Sequence, residues 1–330
     1  MNSKRLLCLI GLVVALSLSI AGCVTSSTSN SATPTIVAPT STALPSPTAP
    51  AASFPLTVKD DMGRSVTVDK RPERIISLAP SNTEILFALG LGEKIVGVTQ
   101  FCDYPAEAKT KPVVGDTTPN VEKIVAAKPD LVVAINSGDP ASLKKFEDLK
   151  LTVLVLDPKD IAGIQSSFKL LGRVTGTDAA AQKLSNDLGA RIDAVAAKVR
   201  GATKKPKVFY ELDATDPTKP FTPGPSTFID ALIAMAGGQN IAADAKAQWA
   251  QLSLEDVIKK DPDLIILGDA NYGTTPDQVK ARPGWSAISA VKNGAIFGID
   301  DNLVTRPGPR FAAGLETLAK IIQPELFKNP

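Results

Sequence analysis

The side chains best placed to do chemistry in this chain come as a repeated pair. Val121–Ala134 reads VEKIVAAKPDLVVA, and Leu254–Leu267 reads LEDVIKKDPDLIIL. Each stretch opens with an apolar residue and then a glutamate, Glu122 or Glu255. Each runs at helical spacing to Pro-Asp, at Pro129-Asp130 or Pro262-Asp263, and continues as an apolar strand. A carboxylate on the first turn of a helix is solvated and held in place, and an arginine fork can take it through two hydrogen bonds. Taken singly, such an acid merely favours the positive end of its helix. An internal repeat implies two similar halves. Two halves facing each other leave a cleft, where small ligands tend to bind.

Aromatic residues make up only 5% of the chain, so their places are informative. Phe101 and Tyr104 lie in a loop just after a strand of the first half. Phe221 lies in the PFTPGP loop of the second, and Trp249 in a loop six residues before Glu255. Loops at strand ends are where α/β folds place ligand contacts. Flat aromatic faces suit a large planar molecule held by dispersion and apolar burial. Arg306, in Arg306-Pro307-Gly308-Pro309-Arg310, stands where a guanidinium would reach an anionic or amide-bearing ligand. Arg310 reads as structural, near a helix start, and Trp285 has the spacing of a core residue with Ile288.

Other chemistries are poorly supplied. Histidine is absent, which argues against capture of free zinc or manganese and excludes a histidine-based catalytic dyad. Two carboxylates in a cleft could serve a glycosidase, but Glu122 and Glu255 start helices at outer points of separate halves, too far apart to share one bond. No Ser-His pair, phosphate loop or zinc motif is present. A surface adhesion or scaffold protein would fit an anchored chain but would leave a two-lobed repeat with a cleft unexplained.

The elements that must position these residues alternate. LTVKDDMGRSVTVD reads as a hairpin turning at Asp-Met-Gly-Arg. Arg74–Ala79 is a strand, Pro80-Ser81-Asn82-Thr83 starts a helix that stops at Gly90, and Ile95–Val98 is a strand. The second half repeats the order, with a strand at Val208–Leu212 and a helix started by Gly224-Pro225-Ser226-Thr227. A helix and strand close each half, at Leu143–Asp157 and Trp285–Asp300. The reading is two similar α/β lobes with mostly parallel sheets. They occupy 54–160 and 205–330, with a helical connector over 161–204. Within the connector, Leu184, Leu188, Ile192, Val195 and Val199 form the apolar stripe of one long rigid helix over 178–200, roughly 35 Å long. Thr177 is placed to cap it and Gly201 to stop it. A stiff connector predicts modest closure on ligand.

The N-terminus is a processing segment. Lys4 and Arg5 precede an apolar run, Leu6 to Ile20, that ends in Ile20-Ala21-Gly22-Cys23. This resembles the lipobox of bacterial lipoproteins, with cleavage after residue 22 and lipid on Cys23. Residues 24–53 are almost entirely Ser, Thr, Pro and Ala without charge, a tether that cannot build a core. The segment predicts a membrane-anchored, extracytoplasmic protein. Without Lys4 and Arg5 the chain carries 34 basic and 34 acidic residues, and no basic run suggests nucleic acid. Beyond Cys8 and Cys23 only Cys102 remains, so there is no disulfide framework and no cysteine metal site.

PERIISLAPSNTEILFALGLGEKIVGVTQFCDYP, NVEKIVAAKPDLVV, PFTPGPSTFIDALIAMAGGQNI and TRPGPR, in that order, resemble the substrate-binding proteins of ABC importers for cobalamin, ferric siderophores and haem. The resemblance covers roughly residues 55–325. The cobalamin-binding branch is the most similar, through QFCDYP and the region of Trp249. The resemblance implies a non-enzymatic monomer with no resident cofactor. It would carry a corrinoid, or alternatively a siderophore or haem, to a permease with ATPase subunits. It further implies that Glu122 and Glu255 dock the permease. Phe101, Phe221 and Trp249 would line the cleft with Tyr104 near them, and Arg306, Asp301 and Asn302 would meet the phosphate or the amide rim. Six residues before Glu122, where a relative carries a second tryptophan, stands Asp116. The cleft is expected to be less aromatic on that side. Haem would need Tyr104, Tyr210 or Tyr272 as its axial ligand.

Overall fold

The computed structural model describes residues 53–136 and 140–328. The signal segment, Cys23 and the tether up to residue 52 lie outside the described residues. From there the chain lays down a hairpin and then two parallel sheets, one from each half.

The hairpin strands β1 (Leu56–Lys59) and β2 (Ser65–Val68) pair antiparallel, and Gly63 takes a left-handed φ of 76° at their turn. The first lobe continues with β3 (Ile75–Ser77), α1 (Pro80–Ala88), β4 (Ile95–Val98), α2 (Val121–Ala126), β5 (Leu131–Ala134), α3 (Pro140–Asp148) and β6 (Val153–Val155). Its four strands run parallel in the order β4-β3-β5-β6. β3, β5 and β6 are buried throughout, which is why they read as unbroken apolar runs.

Two helices follow, α4 (Ile161–Thr175) and α5 (Asp178–Val199). The second lobe runs through β7 (Lys207–Glu211), β8 (Phe221–Pro223), α6 (Phe228–Met235), β9 (Gln239–Asn240), β10 (Trp249–Gln251), α7 (Leu254–Lys260) and β11 (Leu264–Leu267). It closes with α8 (Pro276–Lys280), α9 (Ser289–Lys292), β12 (Ile296–Gly298), α10 (Asn302–Thr305) and α11 (Phe311–Ile322). Its parallel sheet has the order β12-β11-β7-β9.

The repeat is structural as well as textual. After α2 comes Lys128 and after α7 Asp261, both in the left-handed region just before proline, at φ 47° and 45°. The aspartate of each Pro-Asp then ties the junction to the sheet. Asp130 accepts the backbone N–H groups of Glu73 and Arg74, and Asp263 accepts that of Lys207. A cation closes each helix end: Arg74 donates to the carbonyls of Ala127 and Lys128, and Lys207 to that of Lys260.

α5 packs on α4 along one side and on α11 of the second lobe along another. Leu188, Ile192 and Val195 are buried, with Leu184 and Val199 partly so. Arg191 forks onto Glu316 of α11 at 2.7 and 2.8 Å, pinning the helix to the second lobe. α5 therefore links α4 to the second lobe, and one buried apolar cluster runs through both lobes and α5. Trp285 is buried in a cluster of the second lobe against Phe209, as a core residue.

Two caps differ from expectation. Thr177 precedes α5 but caps no N–H; its hydroxyl shares a hydrogen bond with Thr175 instead, and the helix ends at Arg200 before Gly201. At α1 the N-cap is Ala79, and Ser81 and Thr83 lie inside the helix. Pro80 supplies a preset φ for the first turn, so no side-chain cap is needed to start it. Thr83 donates back to the Ala79 carbonyl at 3.1 Å. Gly90, at φ 76°, closes the turn that follows. Thr227 behaves as expected and accepts from the Asp230 N–H.

Candidate functional site

The loops that leave the C-terminal ends of β3, β5 and β6 face the second lobe across a cavity of about 590 Å³. The first lobe supplies Ser81, Asn82, Ile135, Asn136 and Asp157 through Lys159. The second supplies Ser226 through Phe228, Gln248, Trp249, and Thr305 through Pro307. Apolar walls with a few convergent polar groups are the usual make-up of a ligand site.

Trp249 stands 53% exposed in this cavity. It does not lie in a loop, as the sequence suggested, but on β10, which pairs antiparallel with β8. Trp249 opposes Pro223 and Gln251 opposes Phe221, while Thr222 and Ala250 between them are buried. Alternation therefore sends Trp249 and Phe221 to the same exposed face of a short ribbon. Phe221 lies outside the residues that line the cavity. Pro223 at the end of β8 disguised that strand in the sequence; at a strand's end its missing N–H is tolerated.

Phe101 and Asp116 line a second cavity, of about 370 Å³, inside the first lobe. It shares Ala79, Pro80 and Ile135 with the first, so the two adjoin across these residues. Leu143 and Phe146 form part of its wall.

Arg306 lines the main cavity, but its guanidinium is engaged. Nη1 donates to Asp103 at 2.6 Å and to Glu84 at 3.3 Å. Arg310 forks onto Glu84 at 2.9 and 2.6 Å and stacks 4.2 Å over the Tyr104 ring. Tyr104 thus belongs to this cluster and lines neither cavity. Glu84, on α1, has a side chain only 1% exposed, so its charge depends on these two arginines from the other lobe. Burial alone would raise the Asp103 carboxyl, but the hydrogen bond and charge of Arg306 hold it below its ordinary value. The Glu84 hydrogen bond raises Arg310 further still.

Asp301 and Asn302 also sit away from both cavities. Asp301 accepts from the Tyr210 hydroxyl at 2.8 Å and from Thr305, and burial raises its carboxyl. Asn302 donates to Asp300. Both side chains are therefore engaged within the second lobe, where Asp300 also accepts the Asn302 N–H at the start of α10.

Sequence reasoning missed Glu84 and Asp103. The signal for Glu84 was a lone acid inside the apolar run EILFALG. It also missed Glu211, fully buried and forked by Arg282 at 2.5 and 2.8 Å, with Asp269 nearby. Burial raises both carboxyls. Asp269 Oδ1 is buried without a hydrogen-bond partner among the described residues.

Glu122 and Glu255 are both exposed at the second position of their helices, behind the N-caps Asn120 and Ser253. Among the described residues neither has an ion-pair partner.

A family model described as periplasmic binding protein matches residues 75–303. An uncharacterized ABC transporter substrate-binding lipoprotein of Bacillus subtilis, YvrC, is 37% identical over 84% of this chain and 88% of its own. A cobalamin-binding protein of Halobacterium salinarum is 32% identical over 86% of this chain and 80% of its own. The crystal structure of a possible iron-binding (periplasmic solute-binding) protein from Staphylococcus epidermidis superposes with a TM-score of 0.68 at 34% identity, covering 77% of this chain and all of that one.

Proposed function

The chain belongs to the periplasmic binding protein family, and from that premise we propose that it captures a corrinoid outside the cytoplasm and hands it to an importer. It is a substrate-binding component of an ABC importer and works with a permease and ATPase subunits. Binding, not catalysis, is the work of this family.

The observation that carries the corrinoid reading is the make-up of the main cavity. An exposed indole and apolar side chains offer flat surface, and Asn82, Gln248, Thr305 and Arg306 offer a polar rim. A corrinoid is a broad ring edged by amides and carrying one phosphate; the indole suits the ring, the amide and hydroxyl rim suits the amides, and the phosphate would meet Arg306 beside its pairing to Asp103 and Glu84. The cobalamin-binding relative supports the same ligand. Haem is the less supported reading. The chain has no histidine, and Tyr104, Tyr210 and Tyr272 all lie outside the residues lining either cavity. A siderophore would also meet Arg306, and the possible iron-binding neighbour keeps that reading as the second one.

Glu122 and Glu255 are the docking pair, exposed, unpaired among the described residues and at equivalent places on the two lobes. Arginines of the permease would take them bidentately. Cys23 would carry the lipid that holds the protein at the outer membrane face, as the lipoprotein relative suggests.

Calorimetric titration of the mature chain tests the ligand. The reading expects heat and one-to-one binding with cyanocobalamin, together with quenching of Trp249 fluorescence. A silent corrinoid titration with a clear response to a ferric siderophore would transfer the protein to the second reading.

A further inference from the structure

The lobes differ at one repeated position, and the shape of the cleft registers it. Six residues before its helix-start glutamate, the second lobe has Trp249 and the first has Asp116. Where the second lobe presents an indole, the first lobe presents the opening of the 370 Å³ recess.

We propose that this recess is a subsite for a planar heteroaromatic appendage of the ligand, a base that stands off the face of the macrocycle; the proposal rests on the corrinoid reading above. A flat wall can take a macrocycle only by its face or edge. A group projecting from that face needs a hollow beside the main cavity, and Ala79, Pro80 and Ile135 border both spaces. The walls are apolar and wait uncovered: Phe101 is 45% exposed and Ile135 43%. Covering them with an aromatic ring removes that surface from water and adds ring contacts.

Asp116 gives the recess its polar end. Its Oδ1 accepts the Thr118 N–H at 2.8 Å, and no second hydrogen bond is made to it among the described residues. The remaining oxygen can accept from a hydroxyl or N–H of the appendage. The position is rigid. Gly115 holds φ 145° and bridges to Pro119, and a Cβ there would come within 2.6 Å of the Thr118 carbonyl oxygen. The turn that carries Asp116 is therefore built by its backbone rather than by contact with a ligand.

The test compares cyanocobalamin, which carries the base, with cobinamide, which has the macrocycle without the base or its ribose phosphate; the recess variants separate the base from the phosphate. Both are titrated calorimetrically into the wild-type chain, Asp116→Trp and Leu143→Phe. The wild type should prefer cyanocobalamin. Filling the recess should shrink that preference roughly tenfold in Asp116→Trp and in the same direction in Leu143→Phe. Cobinamide binding reports that each variant is folded, and the second variant decides if the first does not fold. Equal wild-type affinity for the two ligands, or a preference that neither variant moves, overturns the subsite while leaving the corrinoid reading standing. Failure of the wild type to bind either corrinoid removes that reading and the subsite with it.

Discussion

In the first lobe Asp130 takes two backbone N–H groups, from Glu73 and Arg74, and in the second lobe Asp263 takes one, from Lys207. Around each, a left-handed residue follows the helix before proline, a cation closes the helix end, and a parallel strand begins. The lobes are thus near copies where helix meets sheet, and both end that copied unit with an exposed glutamate at the helix start. They part company at the cleft. The second lobe presents Trp249 on a ribbon, while the first presents a recess beside Asp116. They also part in how they keep buried acids. Glu84 of the first lobe has two guanidinium partners from the other lobe. Glu211 of the second is forked by one, Arg282, while neighbouring Asp269 accepts from Thr274 and leaves its Oδ1 unpartnered among the described residues. Under the proposed function, what was kept in both halves would serve attachment to one common partner, and what diverged would serve an asymmetric ligand.

The sharpest break in this comparison is at Glu84. Glu84→Gln takes from Arg310 its bidentate partner, leaves Arg306 with Asp103 alone and loosens the contact between lobes, so it should cost about 3 kcal/mol in denaturant unfolding. A loss no larger than that of an exposed acid would mean the cluster does not tie the lobes.

The copied junctions come next. Asp130→Ala should cost about 2 kcal/mol and Asp263→Ala about 1 kcal/mol, following the number of N–H groups each leaves without an acceptor. Equal costs would show that the two junctions are closer copies than their hydrogen bonds indicate.

The smallest effect has the opposite sign. Burial raises Glu211 and Asp269, so the folded state holds their protons more tightly than the unfolded chain does. Their contribution to stability is present below the ordinary carboxylate range and is lost as pH rises through the raised values. Asp269→Asn should therefore gain about 1 kcal/mol at neutral pH and flatten the thermal stability profile above about pH 4. Asp103, held low by Arg306, works the other way: its contribution is present above its ordinary value and is lost on acidification. A profile that Asp269→Asn leaves unchanged would place the titrating group elsewhere.

Much of the fold was legible because its signals are local. LVVA and LIIL are strands at the residues read, and the stripe from Leu184 to Val199 is the helix α5. The ribbon of β8 and β10 was not legible, since three residues carrying Pro223 give no period to read. The cluster of Arg306, Arg310, Glu84 and Asp103 was half legible. Its arginines were visible, but their partners lie more than 200 positions away and leave no local trace. Asp301 and Asn302 carried hydrogen-bonding capacity in the right region, yet Tyr210 and Asp300 of their own lobe engage them. The recess was announced only by a missing tryptophan. A void has no sequence of its own, and the packing of Phe101, Leu143 and Phe146 around it had to be seen.

The account stands on the division between shared docking points and divergent ligand walls. One calorimetric series of cyanocobalamin against the wild type, Glu122→Ala/Glu255→Ala and Trp249→Ala tests it most directly. The account predicts wild-type affinity in the double glutamate variant and roughly tenfold weaker binding in Trp249→Ala. Weakened binding on loss of the glutamates, with Trp249→Ala unaffected, would contradict it.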